Sequence, residues 1–246
     1  MVPFARKVGQ RGFSLLEMLI SLTVLLVVIS LAFSQITQLQ KQTAAESSRV
    51  DMSQQAREFI DQTVHDLHLA GYPNASMFST TLIPPVNDGN VAAGIVSVSP
   101  TQLIFEGDVN NDGQVYSVNV AYVAADPNDS NCPCIRRHAI PKSPGIAPLA
   151  QPVSANYTET EHVMPPGTGA GQSGEDLFAY YDQNGNQIDV SGGVDITTPP
   201  GPSGLNGQDT ITGISTIKVN LTLANGVDAN GTALRTSLST AVRLKK

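Results

Sequence analysis

Residues 12–36, GFSLLEMLISLTVLLVVISLAFSQI, decide the architecture of this chain. From Phe13 onward the stretch is apolar except at Ser14, Glu17, Ser21, Thr23, Ser30, Ser34 and Gln35. About 20 helical residues cross the hydrocarbon core of a bilayer, so the run reads as a membrane-length helix. Glu17 stands at its head. A charged side chain at mid-bilayer costs about 2.5 kcal/mol or more, which makes an acid in such a run a functional-site candidate. A short leader ends at Gly12, MVPFARKVGQRG, with Arg6, Lys7 and Arg11 and no acid. The next basic residue is Lys41. Positive charge on one side only places the leader in the cytoplasm and the rest of the chain across the membrane.

A secretory signal has an apolar core of about 7–15 residues followed by a small-residue cleavage site. Here the glycine precedes the apolar run, the run is longer, and an acid sits inside its start. A plain signal anchor accounts for the leader charges and the span as well. The order of basic leader, Gly12, Phe13, Glu17 and apolar run closely resembles the type IV prepilin signal of pilins and pseudopilins. That resemblance implies cleavage by a membrane aspartyl peptidase between Gly12 and Phe13, with methylation of the new amine on Phe13. It also implies that Glu17 pairs with the cationic N-terminus of a neighbouring subunit. Pairing recovers much of the cost of a buried charge. The implied partners are other pilin subunits, the prepilin peptidase and the inner-membrane assembly platform. The implied location is the bacterial inner membrane and then a periplasmic or extracellular filament.

The helix is expected to continue past the span. Residues 40–51 are polar but free of Pro and Gly, and Met52, Ala56, Phe59, Ile60, Val64 and Leu67 then fall on one helical stripe. Gly71, Tyr72 and Pro73 end it. A helix from Phe13 to Ala70 is roughly 87 Å long at 1.5 Å per residue. Family members often carry a proline where this chain has Ser34, so a kink there is an open question. The expected divisions are a cleaved leader (1–12), a transmembrane or filament-core half (13–36), an amphipathic half (37–71) and a β-rich head (72–246). The fold class is α+β and pilin-like: a long N-terminal helix packed on an antiparallel sheet with long loops.

In the head, Ile95–Val98 and Gln102–Phe105 are short apolar runs. Tyr116, Val118, Val120 and Tyr122 alternate with smaller or polar residues, as a half-buried strand does. Residues 135–140 are expected to pair beside it. Leu177–Tyr181 and Gln187–Val190 flank the turn DQNGN as a hairpin. Ile217, Val219, Leu221 and Leu223, with Leu234, Leu238, Val242 and Leu244, make a closing antiparallel pair. Residues 141–174, with six Pro and five Gly, and residues 191–208 read as loops. The segment order from residue 100 onward is similar to PilW-type minor pilins and to J-type minor pseudopilins of type II secretion.

The 246-residue chain carries a formal charge of −7, and removing a leader with three basic residues leaves about −10. An acidic exterior speaks against nucleic-acid binding through a broad basic surface. No nucleophile motif, phosphate loop or dinucleotide fingerprint stands out, so no enzymatic role is expected.

Asp108, Asn110 and Asp112, with Gly113, fit the opening of a calcium loop. The position that should supply a bidentate acid holds Asn119. The competing reading is a polar turn that accepts unusual backbone angles. Asp182, Asn184 and Asn186 repeat the pattern faintly. Cys132 and Cys134 flank Pro133. An intrachain disulfide, two free thiols, and an intermolecular or metal role all remain open. His65 and His68 read as polar decoration of the helix. Arg136, Arg137 and His138 read as a solvated strand edge in preference to a basic patch. The functional readings are a minor type IV pilin, a J-type pseudopilin and a calcium-dependent adhesin on a pilin stem.

Overall fold

The computed structural model describes residues 14–74, 87–127, 129–130, 132–152, 157–167, 169–200, 204–227 and 231–244. Helix α1 spans Leu15–Leu69, 55 residues without Pro or Gly, about 82 Å of continuous helix. It passes Ser34 unbroken; the Thr37 hydroxyl donates back to the Phe33 and Ser34 carbonyls there. Its end is built by close backbone approach. Gly71 takes a positive φ of 82°, a conformation that costs glycine little. The Gly71 N–H donates to the Glu106 carbonyl and the Asp108 N–H to the Tyr72 carbonyl, each at 2.8 Å. At Gly107 the Leu69 carbonyl oxygen lies so near that a Cβ would overlap it.

The head contains two antiparallel sheets. The first orders its strands β5-β4-β3-β2-β1-β8, namely Tyr157–Thr160, Cys134–Pro141, Tyr116–Val123, Gln102–Gly107, Ile95–Val98 and Val194–Asp195. The second orders β10-β9-β6-β7, namely Ala233–Arg243, Thr216–Val227, Phe178–Tyr181 and Gln187–Ile188. A short helix α2, Gly207–Gly213, starts at Asn206, whose side chain accepts from the Asp209 N–H. Residues 162–164 strap the sheets together. The Val163 N–H donates to the Pro133 carbonyl beside β4, and the Met164 N–H donates to Thr222 in β9.

Period-2 patterning explains the closing pair. Ile217, Val219, Leu221 and Leu223 are buried in β9, and the residues between them are half-buried. The helical stripe meets this surface with Met52, Ala56, Phe59, Ile60 and Leu67 buried and Val64 packed partly against the cluster. Phe105, Phe178 and Tyr180 fill the space between, and the Tyr180 hydroxyl donates to the Ser99 carbonyl at 3.0 Å.

Three readings from sequence need correction. Residues 141–174 are not only loop: they hold a 3₁₀ turn at Pro148–Ala150, strand β5 and part of the strap. Residues 191–208 likewise hold β8 and the start of α2. These segments are two to seven residues long, too short for an apolar period to register. Arg136, Arg137 and His138 do not sit on a solvated edge, because β5 pairs with β4 at Arg136 and Arg137. His138 is buried.

Candidate assembly surface

Among the described residues, none of the head covers the apolar half of α1. Leu15, Leu16, Met18, Leu31 and Phe33 each expose more than 60% of their surface. Contact with the head begins only near Ala45, which packs against the core cluster, and Ser48, whose hydroxyl donates to the Asn225 carbonyl. Among the described residues α1 is the one helix long and apolar enough to cross a membrane.

Within this half the polar side chains mostly serve themselves. Ser21, Thr23, Ser30 and Thr37 each return their hydroxyl to a carbonyl one turn back, at 2.7–2.8 Å. Such back-bonding lets a hydroxyl sit on an apolar surface. Glu17 is the one ionisable residue between Leu15 and Ile36, and it is exposed in the first turn of α1. Gly12 and Phe13, the expected cleavage and methylation positions, lie outside the described residues.

The Asp108–Gly113 segment is a turn between β2 and β3. The Asp108 carboxylate accepts the N–H groups of Asp112 and Gly113 at 3.1 and 2.9 Å. Asp112 accepts from the Gln114 N–H and the Tyr116 hydroxyl. The Tyr116 hydroxyl, and then the Gln114 N–H, hold the Asp112 carboxyl below its ordinary range. Asn119 points elsewhere: it sits inside β3 and its Oδ1 accepts from Gln102 at 3.1 Å. The Asp182 turn behaves alike, with its carboxylate accepting from the Asn184 and Asn186 N–H groups.

Cys132 and Cys134 are joined in a disulfide. His65 and His68 are both exposed on α1.

Two buried ion pairs tie the head together, and sequence reading missed both. Asp66, on the core face of α1, accepts from Arg137 of β4 at 2.8 Å and from Gln62 at 2.7 Å. Burial pushes its carboxyl up, and the Arg137 charge opposes that rise. Glu106 of β2 meets Lys142 at 2.6 Å, with both side chains wholly buried. The ammonium also donates to the Val91 carbonyl, and the Ala93 N–H donates to the same carboxylate. Burial again pushes the Glu106 carboxyl up, against the Lys142 hydrogen bond. The available signals were local: Asp66 lies on the stripe formed by Phe59, Thr63 and Leu67, and Glu106 interrupts the run LIFEG.

Residues 7–33 match the family described as the prokaryotic N-terminal methylation motif. The match takes in part of the leader, Gly12, Phe13, Glu17 and most of the uncovered apolar half, and leaves the head outside it. It supports a type IV pilin-like prepilin, which implies processing by prepilin peptidase and assembly with other pilins. No curated protein and no solved structure matches the chain.

Proposed function

We propose that the chain is a minor type IV pilin, a structural or priming subunit of a pilus, whose role is assembly and not catalysis. The observation that carries this reading is a helix half that no described residue of the head covers, with a single ionisable residue, Glu17. Cleavage falls after Gly12 and leaves a methylated amine on Phe13. The bilayer covers residues 13–36 first, with the head outside the cytoplasm, and neighbouring subunits cover them later. Apolar area removed from contact with solvent or lipid packs helix against helix, at roughly 25 cal/mol per Å² where water is displaced. Glu17 sets the register, because a carboxylate in apolar surroundings is relieved by a neighbour's Phe13 amine.

Glu17→Ala tests this. The variant is expected to be cleaved normally yet to enter sheared filaments at a small fraction of the wild-type level, read by immunoblot of membrane and filament fractions. Filament incorporation equal to wild type overturns the pairing. Mass spectrometry of the native N-terminus tests processing separately; a chain that keeps residues 1–12 overturns it. The same uncovered helix suits a J-type minor pseudopilin of a type II secretion system. Subunits that co-purify after crosslinking decide between the two: pilus subunits for the first, secretion pseudopilins for the second.

A further inference from the structure

We propose that Asp129, Cys132 and Cys134 form a redox-gated site for a thiophilic divalent cation, with zinc as the representative ion. The site lies in the head, at the start of β4, and does not depend on the filament reading. Its disulfide spans one intervening residue. A crosslink stabilises mainly by restricting the unfolded chain, and the effect grows with loop length, so this bond restricts little. Its surroundings are better suited to chemistry than to stapling. One carboxylate oxygen of Asp129 and the two sulfurs lie within 4.8 Å of one another. The Cys132 sulfur is 3.8 Å from the Asp129 carboxylate.

The donors are held by the sheet. Cys134 is the buried first residue of β4, and the Val163 N–H anchors the Pro133 carbonyl at 2.9 Å. The Thr158 hydroxyl of β5 donates to Asp129 at 3.1 Å. Arg136 bridges Asp126 and Asp129, at 2.5 and 3.4 Å. The shorter Asp126 contact retains the guanidinium when Asp129 turns to a cation.

The gate is the disulfide. An external dithiol reduces it: the S–S bond breaks, two S–H bonds form, and the dithiol leaves as its own disulfide. A divalent cation then displaces both thiol protons to solvent and gains two sulfur bonds and one carboxylate bond. Two thiolates and a carboxylate suit zinc-class ions, with a fourth position for water. The oxidised chain offers no thiolate, so it is closed to the ion.

The test uses full-length processed protein in detergent, reduced with a phosphine, freed of reductant without air, and titrated with cadmium as probe. The reduced wild type is expected to bind one equivalent and to show the ultraviolet thiolate-to-cadmium band, with its circular dichroism unchanged. The oxidised protein is expected to show no band. Asp129→Asn is expected to keep the band and to weaken binding by about tenfold or more, as loss of even an outer partner does. A reduced chain that unfolds, that shows no band, or whose affinity is unaltered in Asp129→Asn overturns the proposal.

Discussion

Asp66 carries more of the head's cohesion than its position in the chain suggests. It is fully buried and joins α1 to β4 through Arg137. Removing one partner of a buried pair strands the other, at about 3–5 kcal/mol. Asp66→Ala is therefore expected to lower the head's unfolding free energy by about that much, read as a shift in urea midpoint. The pH dependence has a definite sign. Asp66, Glu106 and Glu159 are all pushed above their reference values of 3.8, 4.5 and 4.5, chiefly by burial. In the window above those values the native state binds more protons than the unfolded chain, so stability falls as pH rises through it. As pH rises above the ordinary carboxylate range the wild-type head is expected to lose stability, and Asp66→Asn to flatten that slope. An unchanged slope removes Asp66 as a contributor. The lowered carboxyls of Asp112, Asp182 and Asp189 act oppositely, losing their contribution only as pH falls below the ordinary aspartate range.

At the scale of elements, the join between α1 and β2 tolerates no side chain at Gly107, because the obstacle is the Leu69 carbonyl, which is backbone. Gly107→Ala is expected to destabilise the head by about 1–3 kcal/mol, the usual range for overpacking. Phe59→Ala, on the buried stripe, is expected to cost about 3–5 kcal/mol. Thermal unfolding of both variants checks the two figures. The β2–β3 turn carries a further expectation. Its carboxylates already accept the turn's own N–H and hydroxyl groups, and Asn119 is engaged by Gln102. Calcium is therefore expected to leave the melting temperature unchanged. A calcium-dependent rise that Asp108→Ala abolishes would favour the cation site over the plain turn.

For the whole molecule, the division of labour lies along α1. Its first half is a surface without a partner among the described residues, and its second half is the central ridge of the head. The uncovered apolar surface is far too extended for a lone protein in water. A chain starting near residue 37 is expected to remain monodisperse without detergent, whereas the processed full-length chain requires it. Size-exclusion chromatography with and without detergent reads the difference. An aggregating truncated chain would show that the head has a second exposed apolar surface.

How much was legible in residues follows the range of the forces involved. The span, Glu17, the stripe from Met52 to Leu67, the hairpin around DQNGN and the β9–β10 pair all rest on local periodicity and local turn chemistry, which neighbouring residues display directly. Strands β5 and β8, helix α2 and the 162–164 strap are too short to show a period, and β5, β8 and the strap form where strands distant in sequence supply their hydrogen bonds. Arg137 had no feature to separate it from a solvated arginine. Its meaning depends on Asp66, 71 residues earlier in the chain. The amino-acid order alone thus determined the long apolar helix, its single acid and the closing strands, since an unbroken apolar run, one charge within it and a repeat of two residues are all displayed by neighbouring residues. Only the tertiary structure decided the buried pairs and the clustering of Asp129 with Cys132 and Cys134, because burial and charge pairing arise when distant segments are brought into contact.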